Sequence, residues 1–194
     1  MLDKTTCSNA KFVQLENDLS LLSKLKEEKG LAEIKDDRLK ELGTEGIIAV
    51  VCPDGFQKHD VFGHLCKYND QKQVHDPGLN GGGMLMCPTN PHYALEGRAL
   101  INSVTGAWKL GKGKTIIVLS HWPCGQADED NYPLARVLLD TLTADDHLTA
   151  ILGVSSEVVL PLFHVDWTPF ERNLEKKRRR TYVIKNAARK ILAG

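Results

Sequence analysis

The sequence predicts an α/β fold, with a central, mainly parallel β-sheet flanked by helices and preceded by a helical N-terminal arm. Three observations predict it. Three short apolar runs, 47–51, 115–119 and 158–163, are rich in aliphatic and β-branched residues and read as strands buried on both faces. Stretches in which apolar residues recur at helical spacing surround them. Strands alternating with helices imply a sheet of mainly parallel strands joined by helical crossovers.

The elements follow in order. Residues 9–29 read as an amphipathic helix, with Phe12, Leu15, Leu19, Leu22 and Leu25 on one face and Gly30 as its stop. A second short helix is expected over 31–42, so that residues 1–43 form an arm for packing or dimer contact. The first strand, 47–51, ends at once in Cys52-Pro53-Asp54-Gly55-Phe56. Residues 57–80 are polar, contain His59, His64 and His75, and read as a long loop. After Gly81-Gly82-Gly83, the stretch Met84-Leu85-Met86 is expected to be a strand. Residues 91–110 look helical, offering Ala94, Leu95, Ala99 and Leu100 to a core. The strand at 115–119 ends in Ser120-His121-Trp122-Pro123-Cys124-Gly125. A helix is expected from about Pro133, a favourable first-turn residue. A further short helix is expected near Thr143, where Thr143 and Asp146 have capping-box spacing. The α/β core spans 44–169, and a basic helix over 170–194 closes a single domain without repeat or linker.

The totals fit this reading. A chain of 194 residues, 42% hydrophobic and 26% charged, has the make-up of a globular protein with a substantial core. Its 25 basic and 25 acidic residues cancel, so no global field points to nucleic acid or to a membrane. No apolar run approaches the ~20 residues of a membrane helix. The first residues lack the basic-then-apolar pattern of a signal peptide, so the expected location is the cytoplasm. Five cysteines are too sparse for a disulfide scaffold. In a reducing compartment such thiols are core residues, metal ligands or nucleophiles.

In an open parallel sheet, ligands gather beyond the carboxyl ends of the strands. Two predicted strands put soft ligands there: Cys52-x-Asp54 after the first and His121-x-x-Cys124 after the later one. Ordinary strand-end cysteines beside a chance histidine are one reading. A metal site is the other, and the pairing of both motifs on two buried strands favours it, because two thiolates and an imidazole are a typical zinc donor set.

These two motifs, in this order, resemble those of the β-class carbonic anhydrases, which carry Cys-x-Asp-x-Arg after an early strand and His-x-x-Cys-Gly after a later one. The resemblance covers the layout of about 10–165, and its specific part is Cys52-Pro53-Asp54-Gly55-Phe56 with His121-Trp122-Pro123-Cys124-Gly125. It implies zinc held by Cys52, His121 and Cys124, and N-terminal helices that embrace a partner in a homodimer or higher homo-oligomer. It also implies a small-molecule substrate: carbon dioxide, or carbonyl sulfide or carbon disulfide as in related enzymes of that superfamily.

Two departures stand out. Phe56 occupies the place of the family's arginine, which holds the aspartate off the metal. Asp54 therefore has two expected roles: catalytic, orienting substrate or relaying a proton, or fourth metal ligand that closes the site. The family's Arg-Asn-Ala-Gly-Asn stretch is also missing around Gly81-Gly82-Gly83-Met84. The expectation is a zinc lyase or hydrolase of a small linear molecule; the alternative is a non-catalytic zinc protein serving as a structural or binding module.

Other signals are weaker. Residues 106–112 fit most of a phosphate-binding loop, but Gly113 replaces its Ser or Thr and the segment precedes a strand instead of following one. His64-x-Cys66 and Cys87 are read as loop or core residues. His164-Val165-Asp166 is read either as pocket lining or as a hydrogen-bonded structural group. The run of Lys and Arg over 176–180 lacks interleaved aromatics for base stacking and reads as a solvated helix face, making nucleic acid an unlikely partner.

Overall fold

Strand β4 (Thr115–Trp122) is the centre of the molecule, and all but its first residue are buried. The computed structural model describes residues 4–34, 46–53, 61, 74–167 and 179–193, with side chains from residue 14 onward. In chain order the elements are α1 (Lys4–Glu27), β1 (Leu31–Glu33), β2 (Ile47–Val50), β3 (Val74–His75), a 3-10 turn (Gly82–Met86), a π-wound turn (Tyr93–Gly97), α2 (Arg98–Lys109), β4, α3 (Gly125–Glu129), α4 (Leu134–Leu152), β5 (Val159–Asp166), β6 (Arg179–Ile184) and α5 (Ala187–Leu192).

The six strands form one mixed sheet in the order β1-β6-β5-β4-β2-β3. The pairs β3–β2, β2–β4 and β4–β5 are parallel; β6 runs antiparallel to both β5 and β1. The α/β class and the three apolar strands are as the sequence predicts. Every residue of β2 is buried, as expected of a strand covered on both faces.

Side-chain alternation divides the core. Ile48, Val50, Ile116 and Val118 pack with Leu100, Val104 and Leu148 on one face. Farther along the same face Trp122, Phe163, Val165 and Tyr182 meet Leu22 and Leu25 of α1 and Leu134 and Leu138 of α4. Ile47, Ala49, Ile117, Leu119, Leu162 and Val183 form the opposite face. Burying each of these large aliphatic chains contributes about 1.5–3 kcal/mol.

Several expectations are corrected. Helix α1 begins at Lys4, earlier than residue 9, and ends at Glu27, where Lys29 enters the left-handed region (φ 59). Leu31–Glu33, expected in a second helix over 31–42, pairs with β6 as an edge strand; residues 35–42 of that stretch lie outside the described residues. Met84-Leu85-Met86 is a 3-10 turn, not a strand: left-handed Gly81 and Gly82 (φ 97 and 58) send the chain back across the strand ends. In the next segment the Gly97 N–H bonds His92 O across five residues, a wider turn that rotates the helical face. Leu95 is therefore 80% exposed, and Leu100, Ile101, Val104 and Ala107 make the contact. Helix α4 runs unbroken through Thr143, because Asp146 pairs with Arg189 of α5 instead of capping a new helix.

The basic C-terminal helix is likewise corrected. Residues 179–184 form β6, whose Tyr182, Val183 and Ile184 are apolar enough to insert beside β5, and only Ala187–Leu192 is helical. Arg179 pairs with Asp166 at 3.1 Å and Arg180 with Glu33 at 2.9 Å. Residues 170–178 lie outside the described residues. Among the described residues, no helix is long and apolar enough to cross a membrane.

Candidate metal centre

Strands β2 and β4 lie side by side and parallel, so their carboxyl ends open at the same edge. Cys52 stands two residues past the end of β2. His121 is the penultimate residue of β4. The chain then passes a cis Trp122–Pro123 bond and reaches Cys124 in extended conformation (φ −130, ψ 122) at the head of α3. One ring nitrogen of His121 and the sulfurs of Cys52 and Cys124 all fall within 4.8 Å of one another. The three sequence-predicted ligands are thus brought together. Asp54, Phe56, His59, His64 and Cys66 lie outside the described residues.

The trio is buried: Cys52 is 6% exposed, His121 and Cys124 each 2%. Neither ring nitrogen of His121 makes a well-formed hydrogen bond, although the ring lies close enough to the Cys52 sulfur to favour its thiolate. An imidazole so buried and so poorly bonded carries a desolvation cost of about 1–3 kcal/mol unless something binds it. The cysteines share a charge. The Cys124 thiol hydrogen-bonds the Cys52 sulfur and, against the effect of burial, pulls Cys52 down to about 4, helped by the His121 imidazole and the Gly81 N–H. Cys124 is pushed up, first by that same bond to Cys52 and then by burial. Of the two, Cys52 is the thiol that ionises more readily, and a dication between the sulfurs would favour both thiolates.

The donor set fits a metal ion. Bond lengths of about 2.3 Å to sulfur and 2.0–2.1 Å to nitrogen place tetrahedral zinc ligands roughly 3.5–3.8 Å apart, within reach of the observed cluster. Among the described residues this is the one group of three or more Cys, His, Asp or Glu side chains competent to hold an ion.

The glycine turn supplies what the sequence reading did not single out. The Gly81 N–H donates to Cys52 Sγ at 3.4 Å. A Cβ on Gly82 would sit 2.7 Å from Leu119 O and 2.8 Å from Cys52 N, so only glycine lets this backbone lie against both strand ends. Three successive glycines ahead of an apolar triplet were the visible sign. His164, a register partner of His121, is fully buried and joined through Nδ1 to Thr181 Oγ1 at 2.9 Å; of its two expected roles, the hydrogen-bonded one is seen. Cys87 bonds Thr89 and is not in the metal-binding group.

No protein-family model, curated protein or solved structure matches the chain.

Proposed function

We propose that the centre holds zinc and that the protein is a zinc-dependent lyase or hydrolase of a small linear molecule, carbon dioxide or a sulfur analogue of it. One observation carries this reading. A buried imidazole without a well-formed hydrogen bond lies within a few ångströms of two sulfurs at the carboxyl ends of adjacent parallel strands. Two thiolates and one imidazole suit zinc over harder ions. Cys52, His121 and Cys124 would hold the ion, and with three protein ligands a bound zinc would supply Lewis-acid chemistry to water or substrate.

The chain's own residues do the holding. Gly81 orients the Cys52 sulfur, the β4 ladder fixes His121, and the turn into α3 fixes Cys124. Leu119 and Leu162, on the same sheet face as His121, make an apolar wall suited to an uncharged linear substrate. Asp54, two residues beyond Cys52, is assigned the orientation of substrate or the movement of a proton.

The deep burial of all three donors favours a second reading, in which Asp54 completes the tetrahedron and the zinc is structural. Elemental analysis of the purified, zinc-reconstituted protein, joined to stopped-flow carbon dioxide hydration and carbonyl sulfide hydrolysis, separates the two. One zinc per chain with turnover lost in Asp54→Ala supports the enzyme. One zinc without turnover on either substrate supports the closed site. Failure to retain zinc with the trio intact overturns both.

A further inference from the structure

We infer that His92 is a positioning residue, an imidazolium latch whose protonation clamps the segment supporting Cys52 to the helix carrying Cys124. Its consequence for metal retention rests on the zinc reading above; the latch itself does not.

The observations lie outside the donor trio. His92 Nε2 is 3.0 and 3.1 Å from the two carboxylate oxygens of Asp130, and its Nδ1 is 3.0 Å from Glu96 Oε2. A neutral imidazole has one N–H and one lone pair, so it can donate to only one of these acids and must turn a lone pair toward the other. Donation to both requires the doubly protonated ring. The two carboxylates also hold His92 above its ordinary 6.5, Asp130 contributing most and Glu96 less, with burial opposing.

The latch connects two segments that matter. Asp130 caps the end of α3, the five-residue helix entered directly from Cys124. His92 belongs to the chain that begins at Gly81, the donor to Cys52, and continues through the 3-10 turn. A second tie binds that chain to α4: Asn90 Nδ2 donates to Asp140 at 3.1 Å, and Asn90 Oδ1 accepts the His92 N–H at 3.0 Å. The groups around His92 are therefore Asp130 and the neutral Gln126 from α3 and Glu96 from its own turn. On the Asn90 side stand Asp140 and Arg136 of α4, which pair with each other at 2.7 Å.

The sign follows from the raised value. The imidazolium interaction is complete below the ordinary histidine value and is lost as the pH rises through the higher value of the folded protein. Above it, the neutral ring can donate to only one of the two acids and the charge attraction to both is gone, so the tie between α3 and the 81–97 segment weakens and Cys124 is held less firmly. Thiolate protonation speeds metal loss at low pH in any cysteine site; acceleration on the alkaline side is the mark of the latch.

Zinc release from the loaded full-length protein to a chromogenic chelator, followed from acidic to alkaline pH, reads this directly. Hydrogen exchange of residues 124–130 reads it with or without metal. The expected result is severalfold faster release and a severalfold fall in the exchange protection factors, with the intrinsic pH dependence of amide exchange divided out, as the pH rises past the His92 titration, followed in parallel by its NMR shift. In His92→Gln the alkaline step disappears and protection is low throughout, and Asp130→Asn reproduces this without replacing the histidine. Wild-type and His92→Gln profiles that superimpose overturn the latch. A protein that holds no zinc yet shows the exchange step overturns only the metal reading.

Discussion

His121 and His164 face one another across the β4–β5 ladder, on one face of the sheet, and the Thr181 hydroxyl fixes the second of them. Three polar side chains thus form a row across three strands on a face otherwise built from Leu119, Leu162 and Val183. One member is a metal-ligand candidate, and the other two bond each other.

Thr181→Val keeps the shape and β-propensity of the residue while removing the hydroxyl. It strips His164 Nδ1 of its bond at a fully buried position, which costs about 1–3 kcal/mol. Urea unfolding should move to lower concentration by that amount while zinc content stays unchanged. An unaltered midpoint would mean that the Thr181 bond contributes nothing.

Cys124→Ser removes one of two sulfurs from the cluster. A hydroxyl is a poor replacement for a thiolate toward zinc, so most of the metal should be lost. Because metal binds the folded chain, stability should fall as well, by about 3–4 kcal/mol where free zinc stands at a hundred to a thousand times its dissociation constant. Elemental analysis and thermal unfolding with and without added zinc check this. Full zinc content in the variant would remove Cys124 from the ligand set.

Gly82→Ala asks for a methyl group where Leu119 O and Cys52 N stand 2.7 and 2.8 Å away, at a φ of 58. Left-handed conformation alone costs an alanine about 1–2 kcal/mol, and both obstacles are backbone atoms. The variant should lose more than about 2 kcal/mol and shift the Cys52 environment. Gly106→Ala is the control. It lies inside α2 with open space around its would-be Cβ, so it should gain roughly 0.5–1 kcal/mol. Denaturant unfolding of the pair checks both signs; equal effects would show that the close approach at Gly82 is tolerated.

The parts legible in the sequence were those with strong local signals. Strands β2, β4 and β5 declare themselves because a strand buried on both faces needs an unbroken apolar run. Their parallel alignment puts strand-end residues at one edge, which is why Cys52, His121 and Cys124 could be paired from the sequence. What failed was set by tertiary context. Leu31–Glu33 has no strand pattern of its own and becomes β1 only because β6 offers it an antiparallel edge. The basic run masked β6, since Arg179 and Arg180 are accommodated by Asp166 and Glu33. Met84-Leu85-Met86 is as apolar as a strand, and the backbone freedom of Gly81 and Gly82 turns it into a 3-10 turn beneath α4. The His92 latch joins residues 38 positions apart, a separation that no local pattern records.

Asp18 supplies a prediction from the arm. It is 3% exposed in the middle of α1, with one carboxylate oxygen bonded by Gln14 at 3.0 Å and the other without a partner. Burial raises it from 3.8 to about 6; the Gln14 bond opposes this, the Asp128 charge adds to it, and the Leu134 N–H opposes it. A carboxyl raised in the folded state favours folding while protonated. That contribution is complete below 3.8 and is lost as the pH rises through about 6. The shift corresponds to about 3 kcal/mol at neutral pH. Asp18→Asn retains an acceptor for the Gln14 and Leu134 donors and carries no charge. It should therefore stabilise the protein by ~1–3 kcal/mol at pH values well above 6, and the gain should vanish in acid. Urea unfolding of both proteins across this range tests the assignment, and a stability difference independent of pH would show that the Asp18 charge is not what burial opposes.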